Sequence, residues 1–290
     1  MMEFSAADQI RYKELLLQTY KVFASFCKEG GIHFFAAGGT MIGAVRHQGF
    51  IPWDDDIDVY MKRPDYDRFI SLRNQLKGTD YEIIDPDTDG YYCSMAKFSH
   101  RNSTIWEFQG IPFVFGAFID VFVLDYEEGS YKEVVKKRMN FAKKVNLFFI
   151  SSNDHSYKEI QNLFLHGDFV KTIWYFFHKL LFRTFHPLLM KQLKNHSGNN
   201  QGEWLVAYTG TSGEKDLFRS EWFANSITYP FEDTSIEVPS GYDPFLTAMF
   251  GDYMTLPSAE QQHSHHSLFY YNLDRRIART EILNMQIGAL

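Results

Sequence analysis

The chain has 290 residues, a formal net charge of −7 and two cysteines, Cys27 and Cys93. The length supports a substantial core, in one large domain or a domain with an insertion. The acidic balance argues against nucleic acid as a partner. The cysteine count argues against a disulfide framework or a cysteine-based zinc module.

Ser5 followed by Asp8 resembles a capping box, and Leu15, Leu16, Val22, Phe23 and Phe26 recur at helical spacing, so a helix is expected over 6–29, ended by Gly30 and Gly31. A short buried strand over 32–37 leads into Gly38, and 40–46 reads as a helical turn. The stretch 57–61 is a strand, and Pro64 opens the next helix, which runs to 77. Strands are expected over 81–84, 92–99 and 104–107, then a strongly apolar strand over 117–125 with Asp120 at its centre. Residues 131–195 change character and become helical, basic and aromatic. The run 169–183 is too charged to span a bilayer, but it sets Lys171, Lys179 and Arg183 among aromatics, a pattern suited to packing on the sheet or to peripheral membrane contact. A hairpin over 226–231 and 235–238 and a helix over 243–250 follow. No run of about 18 uncharged apolar residues occurs, so no transmembrane helix is expected. The first residues lack a signal-peptide core, and a cytoplasmic, reduced protein is expected. The fold class is α/β (α+β), a mixed sheet flanked by helices with a helical insertion.

The stretch 38–61, GGTMIGAVRHQGFIPWDDDIDVYM, carries the chemistry. Successive strand side chains point to opposite faces, so Asp56 and Asp58 share one face while Ile57 and Val59 enter the core. Paired carboxylates of this kind suit divalent cations placed between protein and phosphate. Gly38 and Gly39 suit a backbone that approaches a phosphate closely. A calcium loop fits Asp54, Asp56 and Asp58 at its alternate positions, but Val59 stands where the loop needs Gly and Asp65 where it needs Glu. An apolar strand with one buried acid marks Asp120 as a functional candidate, because an unpaired buried carboxylate is costly. His263, His265 and His266 lie too close together, with no cysteine or second cluster, to make a convincing zinc site.

These blocks resemble the LicD family of phosphotransferases, which includes bacterial phosphocholine transferases and is similar to fukutin and the fukutin-related protein. The family pattern, GT-hydrophobic-hydrophobic-GA-R-H-x-GF-IPWDDDID, is matched from Gly39 to Asp58. The run Phe118 to Asp125 resembles the family's IDIFPLD. The run Phe250 to Pro257 resembles its YGDYM-LPP, with Ser264-His265-His266 after it. Val123, Phe250 and Ser258 depart from the pattern, and none of these removes a carboxylate.

The resemblance implies a nucleotidyltransferase-like catalytic core over 1–130, a helical insertion over 131–200 and a C-terminal part, 201–290, completing the domain. It implies two divalent ions, Mg²⁺ or Mn²⁺, held by Asp56, Asp58 and Asp120; Asp54 belongs to the pattern but lies outside the strand. Asp120 also sits where it would take the acceptor's proton. Gly38, Gly39 and Thr40 would contact donor phosphates. Arg46 and Lys97 would complete the charge stabilisation, His47 would join them in binding substrate, and His265 or His266 would reach the mouth of the site. The implied reaction moves a phospho-alcohol, with phosphocholine the first choice, from a CDP-linked donor to a sugar hydroxyl of a glycan, which is often lipid-linked. That acceptor allows for a peripheral location on the inner face of the membrane through 169–183. Phosphoribitol or phosphoglycerol transfer, synthesis of the CDP-linked donor, and an inactive glycan-binding module are the alternatives.

Overall fold

The computed structural model describes residues 4–108, 110–111, 113–153, 157–185, 188–189, 201–210, 212–263 and 268–287. The first helix, α1 (Ala6–Gly30), starts where the sequence places it. The Ser5 hydroxyl accepts from the Asp8 backbone N–H, and Gly31 closes the helix with φ of 61°, a left-handed conformation natural to glycine. A two-residue strand, β1 (Phe35–Ala36), precedes α2 (Gly38–Ile42), which continues into one wider π turn, Gly43–His47. The acidic strand is β2 (Asp58–Lys62) and is followed by α3 (Arg63–Ser71), with Pro64 in its first turn. A 3₁₀ segment, Leu72–Leu76, replaces the last part of the longer helix expected from sequence.

Three strands, β3 (Tyr81–Ile84), β4 (Ala96–His100) and β5 (Thr104–Trp106), lead to the long strand β6 (Phe118–Glu127). The expected strand over 92–99 is shifted, because Tyr92 to Met95 run outside the ladder before β4 begins.

The insertion holds α4 (Tyr131–Ser151), α5 (Tyr157–Leu165) and α6 (Phe169–Thr184). Strands β7 (Trp204–Val206) and β8 (Leu217–Arg219), the hairpin β9 (Ser226–Phe231) and β10 (Thr234–Pro239), α7 (Tyr242–Phe250), β11 (Tyr270–Asn272) and α8 (Arg279–Ile287) complete the described elements.

The main sheet runs β1-β2-β6-β4-β3, with β7 and then β8 added at the far end of β6. Only β2 and β6 pair in parallel; the other pairs in this sheet are antiparallel. The C-terminal part therefore shares a sheet with the N-terminal part. Central strands covered on both faces read as near-continuous apolar runs, and Ile119, Val121 and Leu124 are indeed buried. Each such side chain contributes about 1.5–3 kcal/mol of burial. The face carrying Val59 and Phe98 meets α1 through Phe23, 5.5 Å from Phe98 between ring centroids. On the opposite face Tyr60 packs against Phe122, Phe218, Phe223 and Phe245. Two layers thus enclose the sheet and leave one end of the Tyr60 face for polar groups.

The insertion is fastened by charge as well as by packing. Arg138 of α4 is buried and donates to Asp216 Oδ2 at 2.7 Å and to the Gly210 carbonyl at 2.6 Å. Among the described residues no helix is long and apolar enough to cross a membrane.

Candidate active site

The acidic loop is built from three sides. Lys13 of α1 donates to the Pro52 carbonyl at 2.8 Å. Glu232, in the turn of the β9–β10 hairpin, accepts from the Phe50 N–H at 2.9 Å and donates its own N–H to the Gln48 carbonyl at 2.8 Å. Arg46 donates to the Tyr253 carbonyl and, at 3.3 Å, to the Thr255 carbonyl, while its Nε lies 2.9 Å from His47 Nε2. Arg46 thereby ties the glycine block to the segment after α7, joining two of the three matched sequence blocks. Burial, followed by the Arg46 charge, holds the His47 imidazole below its ordinary range.

The strand is anchored at its first residue. The Asp58 N–H donates to Thr40 Oγ1 at 2.9 Å, and the Ala37 N–H donates to the Asp58 carbonyl at 2.9 Å. Thr40 is buried, so its hydroxyl positions the carboxylate strand. Thr40→Val is expected to cost about 1–3 kcal/mol, the penalty for orphaning a donor away from water, and Thr40→Ser should restore it; urea denaturation reads both.

Gly38 has φ of 47°, and a Cβ there would lie 3.7 Å from Asp58 Oδ2. At Gly39 a Cβ would come within 2.6 Å of Asp54 Oδ2. Gly39 lets the start of α2 approach Asp54 more closely than a side chain would allow, and Gly38 is favoured by its left-handed backbone.

Asp58 of β2 lies opposite Asp120 of β6, and Asp120 lies opposite Lys97 of β4. Residues directly opposite in register share a face, so two acids and one base form a row across three neighbouring strands. Lys97 Nζ donates to Asp120 Oδ1 at 2.6 Å, with both side chains buried. The ammonium sits 3.5 Å from the Phe118 ring centroid and 4.9 Å from that of Phe115. Burial works against the Lys97 charge, but Asp120 and Glu107 outweigh it and hold the amine above its ordinary range. The row ends at Asp58, half-buried. Asp56 is also half-buried, and Ile57 and Val59 are fully buried, as the alternation requires. The Ile57 carbonyl accepts from the Asp120 N–H at 2.9 Å, which locks the approach of β2 to β6.

Sequence reading misses Tyr12, Asp55 and Glu107. Tyr12 of α1 is buried, and its phenol is pushed well up by burial, then by the charges of Asp55, Glu107, Asp56 and Asp120. Glu107 accepts from the Tyr92 hydroxyl. The charge on Glu107 also bears on Lys97 and Cys93; burial pushes the Cys93 thiol up to about 12. No local motif marks Glu107 or Tyr12, since each reaches the site from a distant element. His265 and His266 lie outside the described residues.

Among the described residues no three His, Cys, Asp or Glu side chains converge as a ready metal cage. Asp56, Asp58 and Asp120 nevertheless supply the hard oxygen donors that Mg²⁺ and Mn²⁺ take. Mg²⁺ in particular is commonly held by one or two carboxylates together with substrate phosphates. By donor chemistry Asp58 and Asp120, neighbours in register, are the carboxylates that suit such an ion.

A mixed sheet with acids gathered at one end, beside a glycine-started helix, suits charge-stabilised group transfer. A family model described as LicD/FKTN/FKRP, nucleotidyltransferase domain, matches residues 31–145, which include Asp56, Asp58, Lys97 and Asp120. The lipopolysaccharide cholinephosphotransferase LicD of Haemophilus influenzae is 29% identical over 265 residues, covering 89% of this chain and 96% of that protein. An uncharacterized protein of Rickettsia typhi is 37% identical over 68 residues, 23% of this chain and 22% of its own length. The family model and the Haemophilus relative together support a LicD-family phosphotransferase. The same similarity supports a transferase of the LicD type.

Proposed function

We propose that the protein transfers phosphocholine from CDP-choline to a hydroxyl of a cell-surface glycan of the lipopolysaccharide kind. The observation that carries this reading is the row Asp58, Asp120 and Lys97 across adjacent strands, with Asp56 in the loop two residues before β2. Phosphoryl transfer needs positioning and charge stabilisation more than covalent help from the protein, and the row concentrates charge at one end of the sheet. The described activity of the Haemophilus relative favours choline among the phospho-alcohols.

Asp56, Asp58 and Asp120 would hold the divalent ions, Mg²⁺ or Mn²⁺. Bound there, such ions neutralise charge on the donor phosphates. Gly38 and Gly39 turn backbone amides at the start of α2 toward those phosphates, and Arg46 and His47 hold the loop that carries the acids. Lys97 keeps the Asp120 carboxylate fixed toward the acceptor. The acceptor oxygen bonds to the phosphorus bearing choline and gives its proton to Asp120. The bond from that phosphorus to the bridging oxygen breaks, and CMP leaves with the electron pair.

The test is CMP release from CDP-choline, CDP-ribitol and CDP-glycerol, with and without a glycan acceptor, in Mg²⁺ or Mn²⁺. Acceptor-dependent release fastest from CDP-choline is expected. Preference for CDP-ribitol or CDP-glycerol would reassign the transferred group, and no release from any of the three would sink the transferase reading for CDP donors.

A further inference from the structure

The helical insertion is built inside out. On α6, His178, Lys179 and Leu181 turn inward, and Lys179 Nζ sits 4.6 Å from the Tyr157 ring centroid of α5. The large apolar side chains turn outward. Leu165, Val170, Ile173, Trp174 and Phe176 are 69%, 81%, 72%, 54% and 58% exposed. Water drives such side chains inward in a free-standing globule, and large contiguous apolar patches on soluble monomers mark interaction sites. The burial of Lys179 also corrects the sequence reading of 169–183: Lys171 and Arg183 are exposed, but Lys179 is part of the packing.

The charge in these helices is predominantly basic, although Lys171 pairs with Asp168 at the start of α6, 3.0 Å away. The described residues of 131–153 and 157–185 hold ten lysines and arginines against three acids, in a chain whose net charge is −7. Lys143 and Lys144 of α4 and Lys171 and Arg183 of α6 are exposed. Apolar side chains bordered by basic ones match a bilayer surface with anionic headgroups, where the apolar groups enter the acyl boundary and the cations stay among the phosphates. A second copy of this chain would instead bring two strongly basic faces together.

The face also reaches the active site. Helix α6 packs on α4 and α5, and the end of α4 exposes Leu147, Phe149 and Ile150. Phe149 meets Phe108 and Tyr92, and the Tyr92 hydroxyl donates to Glu107.

We propose that α5, α6 and the end of α4 form an interfacial docking surface for an anionic lipid bilayer. The surface would set the Glu107 side of the active site against the membrane, where a lipid-carried acceptor would be presented. Docking requires no donor, so it stands or falls apart from the identity of the transferred group.

The test is flotation of the full chain with vesicles of phosphatidylethanolamine and phosphatidylglycerol, beside vesicles of phosphatidylcholine alone, at low and high salt. The protein should float with the anionic vesicles and be released by salt. The combined change Val170→Glu, Ile173→Glu and Phe176→Glu should abolish flotation while the melting temperature stays at or above that of the parent, because all three side chains already face water. Lys171→Gln with Arg183→Gln should weaken flotation chiefly at low salt. The proposal is overturned if the parent fails to float on either vesicle or if the glutamate variant floats as well as the parent. It is also overturned if sedimentation shows a lipid-free dimer that the glutamate changes split and no vesicle binding.

Discussion

Lys97→Met is expected to lower stability by about 3–5 kcal/mol, the scale for removing one partner of a buried ion pair and leaving the other uncompensated. The geometry behind this is specific. Lys97 and Asp120 are cross-strand neighbours on β4 and β6, 2.6 Å apart and shut off from water. The double change Lys97→Met, Asp120→Leu should recover most of the loss, since replacing a buried pair with apolar groups of similar size is often neutral or better. Activity should separate from stability. Both the single and the double variant should lose CMP release, because the first misplaces the Asp120 carboxylate and the second removes it. Asp120→Asn, assayed in single turnover at a temperature where it is folded, should lose at least about 10²-fold, the lower range for a general base. Circular dichroism melts beside single-turnover kinetics decide the matter. A folded Asp120→Asn protein with normal turnover would remove this residue from the chemistry.

The legible parts of this chain were those carried by short-range pattern. The Ser5 cap, the alternation at Asp56 to Val59 and the apolar run around Asp120 each depend on a few neighbouring residues, and each appears in the fold. Register across strands does not depend on neighbours. Nothing local announces that Asp58, Asp120 and Lys97 stand in one row, although the resemblance singles out all three residues. Glu107 and Tyr12 enter from β5's end and from α1, so only the folded chain brings their charge and phenol to Asp120. Arg46 shows the converse. Its place in the matched block suggests phosphate contact, while its guanidinium binds the Tyr253 and Thr255 carbonyls and closes the loop over 200 residues of sequence. The outward face of α6 was legible only as an alternative: the aromatic and basic run allows packing on the sheet or membrane contact, and the buried His178 and Lys179 reveal which side faces the protein.

Asp56→Asn and Asp58→Asn should each reduce turnover by on the order of 10²-fold or more, the scale of losing one element of transition-state charge stabilisation, while leaving the fold intact. Their effect on stability should be opposite in sign to that of Lys97→Met. Asp54, Asp55, Asp56 and Asp58 crowd one short stretch. Lys13, on the same loop's carbonyls, is held below its ordinary range by burial, against the pull of Asp54 and Asp55. Neutralising one carboxylate relieves repulsion among its neighbours, so the melting temperature without metal should stay level or rise. Adding Mg²⁺ or Mn²⁺ should raise the melting temperature of the parent, since an ion that binds only the folded state stabilises it. That increment should shrink in both variants. Thermal melts across a metal titration therefore report the role of the two acids without any turnover. CMP release measured on the same samples links the role to catalysis. Full activity in either variant, or an undiminished metal-dependent shift in both, would rule out Asp56 and Asp58 as the ion-holding pair.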